Sequence, residues 1–471
     1  MRARLAPLLL LAACVTTPPP MAGGIHINEP DLDAWSAALQ GAGLDTVQVT
    51  AYARQAAWDG GEVGFERQDP SEVIVQLEAA QRAGLRVMLV LRTYLEHALP
   101  ENRHLWHGRI HPRDDQLDAW FANYREYALW GARLAAEYDV DVFVVGNELN
   151  SMTSTVFPDE AIDPHEYFLD AERTAKVRDD LVGCADDVVA RGDGSDLTHW
   201  DGGRFDSLHD QLVDAERARR AWATAVTGAG SRAEIQARLE ARGARLDAGW
   251  RALIDDVRGV YRGPVTYGAN FDQFHRVGFW DALDAVGVTS YFPLTLWGAT
   301  DEEQRAAMTA SWTEVADRLT ASATLDEDDV LPVYLLELGW TRLEGSTVRP
   351  WSYDRVDVLE TVGEVEEGAA QPLTCVHWAS QPARPDERVE ALAALADLVD
   401  SGGFDALRGF SLWKLTTRDY HHEGERFAVL VPADVRDNTP NDSDTALLAQ
   451  AARLGALLRQ SAQRKRRTSR R

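Results

Sequence analysis

Residues 139–149 read DVDVFVVGNEL. Val140, Val142, Phe143, Val144 and Val145 are interrupted only by Asp141 and run straight into Gly146, Asn147 and Glu148. A run this apolar suits a strand buried on both faces, as in an all-parallel sheet. A carboxylate at its end therefore needs a reason. VLPVYLLELGW (330–340) follows the same plan far downstream and delivers Glu337.

Six further segments resemble these two: GIHINEP (24–30), DTVQVTAYA (45–53), RVMLVLRTY (86–94), PVTYGAN (264–270), AVGVTSYFP (285–293) and GFSLWKLTT (409–417). Helical periodicity lies between them, in DLDAWSAALQGAG (31–43), PSEVIVQLEAAQRAG (70–84), LDAWFANYREYALWGARLAAEY (117–138), EEQRAAMTASWTEVADRLTAS (302–322) and DERVEALAALADLVDSGG (386–403). Glycine closes the first two, as at a helix C-terminus. Strands alternating with helices predict a parallel sheet, and eight such units predict a closed (β/α)8 barrel, the TIM-barrel fold.

One interval departs from this rhythm. Between the fourth and fifth strands, from Asn150 to Gly263, the chain is far longer than one helix requires. ARLDAGWRALIDDVRGVY (244–261) supplies the expected helix, and the preceding residues, about 155–240, read as a helical insertion. Insertions after a strand's C-terminal end lie on the catalytic face of a barrel. This one is expected to wall the cleft, either as a structural lid or as a substrate-contacting subsite.

The first residues, MRARLAPLLLLAAC, place two arginines before a short apolar run and then Cys14. The run is too short to span a bilayer and has the layout of an export signal. Leu11-Ala12-Ala13-Cys14 resembles a bacterial lipobox, with cleavage before the cysteine and lipid on it; a plain signal cut elsewhere is the alternative. The expected division is a signal peptide at 1–14, a tether at 15–23, a barrel at 24–458 and a basic disordered tail at 459–471. The expected location is outside the cytoplasm on a membrane anchor, as a monomer. Without Cys14 only Cys184 and Cys375 remain, either bridged or as two separate thiols. The net charge of -27 excludes the basic face that nucleic-acid binding needs. No phosphate-cradling glycine loop or HExxH motif appears, so neither cofactor nor metal is expected.

In a barrel the C-terminal strand ends meet around one pocket, which brings Glu148 and Glu337 together. Paired carboxylates on facing strands are what glycoside cleavage needs, one as proton donor and one as nucleophile or base. The bland reading makes each an ion-pair partner supplied with arginine or amide donors. Glu29, Glu96 and Asp419 are rival carboxylates on the same face.

VVGNELNSM (144–152) and LLELGWTRLEGSTVRPW (335–351), with HLWHGRIHP (104–112), YRGPVTYGAN (261–270) and VGVTSYFPL (286–294), resemble the clan of retaining glycoside hydrolases built on an eightfold barrel. Within that clan the chain is most similar to glycoside hydrolase family 113, known for β-mannanase activity; the long insertion departs from its compact barrel. The resemblance implies Glu148 as acid/base, protonated at rest, and Glu337 as nucleophile. It further implies Asn147 on the sugar 2-hydroxyl, Tyr291 hydrogen-bonded to the nucleophile, and Trp413 beneath the scissile sugar. Trp106, Trp340 and Asn270 are further candidates for substrate contact, as are Trp297 and Trp351, with core packing as the alternative for each tryptophan. His26, Arg92 and His107 are expected on sugar hydroxyls, as partners of the carboxylates, or as solvated residues of the rim. The substrate class implied is a β-linked polysaccharide or oligosaccharide, first a β-1,4-mannan. Alternatives are another β-glycan, transglycosylation, or a surface lipoprotein that binds sugar without turnover.

Overall fold

The computed structural model describes residues 18–65, 70–153, 218, 221–296, 300–326, 329–351, 356–363, 371–378, 382–435, 438–439 and 441–468. Cys14, Cys184, Trp297 and most of the expected insertion lie outside the described residues, as does the side chain of Cys375.

In chain order the elements are β1 (Met21–His26), α1 (Leu32–Gly41), β2 (Thr46–Gln55), β3 (Val63–Gly64), α2 (Pro70–Ala83), β4 (Arg86–Leu95), α3 (Leu117–Glu137) and β5 (Val142–Asn147). Then come α4 (Arg232–Val260), β6 (Val265–Asn270), β7 (Val286–Thr289), α5 (Asp301–Ala323), β8 (Val333–Leu338), β9 (Val356–Gly363) and β10 (Gln371–Trp378). The chain continues through α6 (Asp386–Asp400), β11 (Leu407–Thr416), α7 (Asp419–Gly424), β12 (Val429–Leu430) and α8 (Asp442–Thr468).

Parallel pairing runs β1-β11-β8-β7-β6-β5-β4-β2, and β2 returns to β1 through Gly23–Thr46 and Gly24–Val47. Eight parallel strands thus close on themselves, the (β/α)8 barrel expected from the alternation. Gly23 permits this closure: a Cβ there would lie 1.7 Å from the Thr46 carbonyl oxygen.

Met21, Met88, Val90, Val142, Val144, Ala285, Tyr334 and Leu336 form a buried cluster of their own among the barrel strands. The second and larger cluster includes the fully buried Trp35, Trp120, Trp250 and Trp312 of the surrounding helices. Helix ends follow local chemistry. Asp31 caps α1, Ser231–Glu234 and Thr300–Glu303 form capping boxes on α4 and α5, and Gly43 and Gly84 take positive φ after α1 and α2.

Three features differ from the sequence reading. First, β1 starts at Met21 and pairs with β11 from Gly409 onward, so residues 21–23, assigned to the tether, are barrel. Second, the basic run assigned to a disordered tail continues α8 to Thr468; Leu458 is buried, Arg459 pairs with Asp45 at 3.0 Å and Lys465 donates to the Asp405 carbonyl. Third, β9 and β10 form an antiparallel pair after β8 that no periodicity announced.

Candidate active site

The apolar run of β5 ends where its backbone turns. Glu148 adopts φ 52°, a left-handed conformation uncommon for a non-glycine residue, and strain of this kind concentrates at functional sites. The turn is held on both sides: the Glu148 N–H donates to the Gly268 carbonyl at 2.7 Å, and the Leu149 N–H to the Tyr267 hydroxyl at 2.9 Å. Gly268 on β6 makes room for Asn147, because a Cβ there would meet the Asn147 amide at 2.3 Å.

Glu337 leaves the end of β8 with 3% exposure, and Glu148 is 7% exposed. Between them stands Arg92, from the C-terminal part of β4. Its Nη2 donates to Glu148 Oε2 at 3.3 Å and makes a short hydrogen bond to Glu337 Oε1. With the Asn147 amide turned so that its oxygen faces the guanidinium, that oxygen accepts from Arg92 Nη2 at 3.1 Å and Nε at 3.3 Å. His107 Nε2 lies 2.9 Å from Glu148 Oε2, and the Tyr291 hydroxyl donates to Glu337 Oε2 at 2.9 Å. Trp413, half-exposed on β11, lies under two cations, the Arg92 guanidinium at 5.3 Å and Lys414 Nζ at 4.7 Å from its ring centre.

Burial disfavours charge on both carboxyls. At Glu148 a hydrogen bond from His107 and the charge of Arg92 outweigh burial and hold the group down at about 2. At Glu337 burial, aided by the charge of Glu148, outweighs Arg92 and Tyr291 and pushes the group up to about 7. The pair titrates as a unit and carries one proton between those limits. Burial also lowers the His107 pKa, which favours the neutral ring. The seat of the shared proton turns on the tautomer of this ring. A proton on Nε2 makes His107 the donor and Glu148 the anion. A proton on Nδ1 lets Nε2 accept from a protonated Glu148, and Glu337 then keeps the charge with Arg92 and Tyr291 donating to it.

The expected residues divide clearly. Glu148, Glu337, Asn147 and Tyr291 converge, and Trp413 joins them through Arg92. Trp106 is 37% exposed and stands edge-on to His107 at 5.0 Å, with its ring against Gly108 and part of the indole open beside the pair. Asn270 lies at the end of β6 with its oxygen accepting from the Phe271 N–H at 2.9 Å. Trp340 does not offer a platform: at 2% exposure it packs edge-on to Trp312 of α5. Trp351 is half-buried and stacks on Phe271. His26 is tied to Gln76 and Trp35.

The rival carboxylates serve elsewhere. Glu29 accepts from the hydroxyls of Thr416 and Thr417, Glu96 pairs with Arg54, and Asp419 accepts from Thr439. Arg92 and His107, ambiguous in the sequence, are partners of the carboxylates. Lys414 and Asp272 escaped the sequence reading. The latter is a buried carboxyl beside Asn150, pushed up to about 6 by burial. Its signal was a second polar residue two places beyond Asn270.

The model of Glycoside Hydrolase Family 113 matches residues 31–156 and 234–366, more than half of the chain. The stretch between the two matches falls within the long interval after the fourth strand. Among solved structures, a GH113 β-1,4-mannanase is 17% identical, with 92% of this chain and 98% of that chain covered and a TM-score of 0.52. The GH113 β-mannanase AaManA from Alicyclobacillus acidocaldarius in complex with ManMIm is 16% identical, with 93% and 98% covered and a TM-score of 0.52. At these identities the likeness establishes the shared fold. No protein of curated function matches the chain.

Proposed function

The chain belongs to glycoside hydrolase family 113, and from that membership we propose that it hydrolyses β-1,4-linked mannan with retention of configuration, through Glu148 and Glu337. The observation that carries the reading is that one guanidinium nitrogen touches both carboxylates. Two oxygens in contact with one nitrogen stand closer than the ~6.5 Å at which inverting pairs begin, which supports the short spacing of a retaining pair.

In the working form Glu148 carries the shared proton, His107 accepting from it, and Glu337 is the anion. Glu337 attacks the anomeric carbon while Glu148 protonates the departing oxygen. The glycosyl ester removes the charge of Glu337, Glu148 stays ionised, and it then takes a proton from the water that releases the sugar. Arg92 offsets the charge that remains on the pair throughout. Asn147 reaches the 2-hydroxyl, and Trp413 and Trp106 offer indole faces to the sugars. Mannan as substrate draws support from what the similar solved structures are said to be.

Export completes the proposal: cleavage before Cys14 and lipid on that residue would hold the enzyme at a membrane. Replacing Cys14 by Ala should move the protein from the detergent phase to the aqueous phase. The activity is tested by release of reducing ends from β-mannan, glucomannan, β-glucan and xylan, with Glu148→Gln and Glu337→Gln alongside. Turnover of mannan that both variants lose supports the proposal. Turnover of another glycan alone rejects the substrate and keeps the residues.

A further inference from the structure

A cavity of about 210 Å³ lies where α4, the helical residues 221–227 and the loop after His107 meet. Its lining includes Trp58, His111, Arg238, Leu239, Ile235 and Arg242. Arg242 is 6% exposed, and only its Nη1 is engaged, donating to Asp114 Oδ1 at 2.9 Å. Its Nε and Nη2 are buried without a partner among the described residues. Those two N–H groups form the side of a guanidinium on which donors lie parallel, the edge that grips a carboxylate by two hydrogen bonds. Buried polar groups in native proteins are almost always paired, so two idle donors on one buried cation, lining a cavity, point to a ligand that supplies both acceptors.

The rest of the lining narrows the ligand. His111 Nδ1 is also buried and unpartnered, and the backbone N–H of His111 donates to the backbone carbonyl of Trp58 at 2.8 Å, which joins the two segments of the lining. Trp58, Ile235 and Leu239 provide apolar surface of the kind that packs on a sugar ring. The cavity is lined by Arg113, Arg238 and Arg242 beside a single carboxylate among the described residues, Asp114, in a chain whose net charge is -27. It also adjoins the catalytic cleft: His111 follows His107 by four residues, at most about 14 Å of extended chain.

We propose that this pocket is a recognition site for a carboxylate-bearing sugar, a hexuronate residue, anchored by the Nε and Nη2 edge of Arg242. A glycan with acidic residues would then be held beside the site that cleaves its neutral backbone. The choice of a sugar as carrier of the carboxylate rests on the glycoside hydrolase reading; the anion recognition rests on Arg242 alone.

Calorimetric titration of the whole protein with methyl β-glucuronide, methyl β-glucoside and inorganic phosphate tests this, with Arg242→Gln and Arg242→Lys compared after thermal unfolding confirms that each is folded. The expected result is saturable binding of the uronide, at least about tenfold weaker in both variants, because lysine keeps the charge and loses the two-donor edge. The glucoside should not bind. Equal binding of uronide and glucoside overturns the proposal, as does phosphate binding as tightly as the uronide or uronide binding indifferent to Arg242. Should either variant fail to fold, the comparison of the three ligands on the unaltered protein decides. Turnover of mannan by the same protein is a separate readout, so failure of the pocket is distinguishable from failure of the proposed activity.

Discussion

Arg92 is the side chain on which the residue-scale account turns. It is buried, strongly held in its charged form by Glu337 and Glu148 against the pull of burial, and it touches Asn147 as well. Asn147 and Glu148 at the end of β5 and Glu337 on β8 thus depend on one guanidinium from β4. Replacing it by methionine removes the positive charge and leaves the mutual repulsion of the carboxyls unopposed. We expect kcat to fall by about two orders of magnitude or more, as when a preorganised charge contact is lost. A pH profile gives the second readout. The singly protonated pair persists from about 2 to about 7, so kcat/KM of the unaltered enzyme should fall as pH rises through about 7, where the shared proton leaves. In Arg92→Met the proton is held to higher pH, so the alkaline limb should move upward. A profile flat through pH 8, or a limb that moves downward, would contradict the assignment.

At the scale of elements, although the first residues of β1, Met21–Gly23, carry too weak a run to be told from a tether, the eight barrel strands were legible because parallel strands buried on both faces leave apolar runs. The polar residues that end them mark the catalytic rim. Glu148 and Glu337 could be picked out because apolar strands feed straight into them. Arg92 sits in a similar position, but an arginine at a rim has too many other uses for its partner to be read from spacing. Trp340 takes the core-packing alternative: two places beyond the end of β8 it turns inward and packs against Trp312 of α5. The tail differs from the sequence reading because its first residues, including Arg464 and Lys465, continue a helix whose Leu454 and Leu458 are buried. That helix is also fixed at its start: Asp444 and Arg388 of α6, both fully buried, form an ion pair, and His422 Nε2 lies 2.8 Å from Asp444 Oδ2. Asp444→Ala should cost about 3–5 kcal/mol, because it strands a buried cation. Urea unfolding measures this, and a loss below 1 kcal/mol would show that Arg388 finds another partner.

For the whole molecule, closure of the barrel rests on β1, the strand nearest the N-terminus. Tyr334 in the barrel interior donates to the Pro19 carbonyl at 2.6 Å, so the described chain is tied down from there on. A chain beginning at Thr17 should keep the melting temperature of the full chain. One beginning at Ile25 should lose the cooperative transition, since β2 and β11 would face each other without the strand that joins them. Equal melting of the two would remove β1 from the account. The acidic surface suits a neutral polymer as the principal substrate, and the arginine-lined pocket is the exception that singles out an acidic one.

The central claim is that Glu337 becomes covalently bonded to the sugar while Glu148 moves the proton. Incubation with a 2-deoxy-2-fluoro-mannosyl fluoride, followed by mass spectrometry of the intact protein and its peptides, tests it most directly. The account predicts one sugar bound per chain, on the peptide that carries Glu337, and none in Glu337→Gln. A label on any other residue, or turnover that yields the inverted anomer with no adduct, would contradict it.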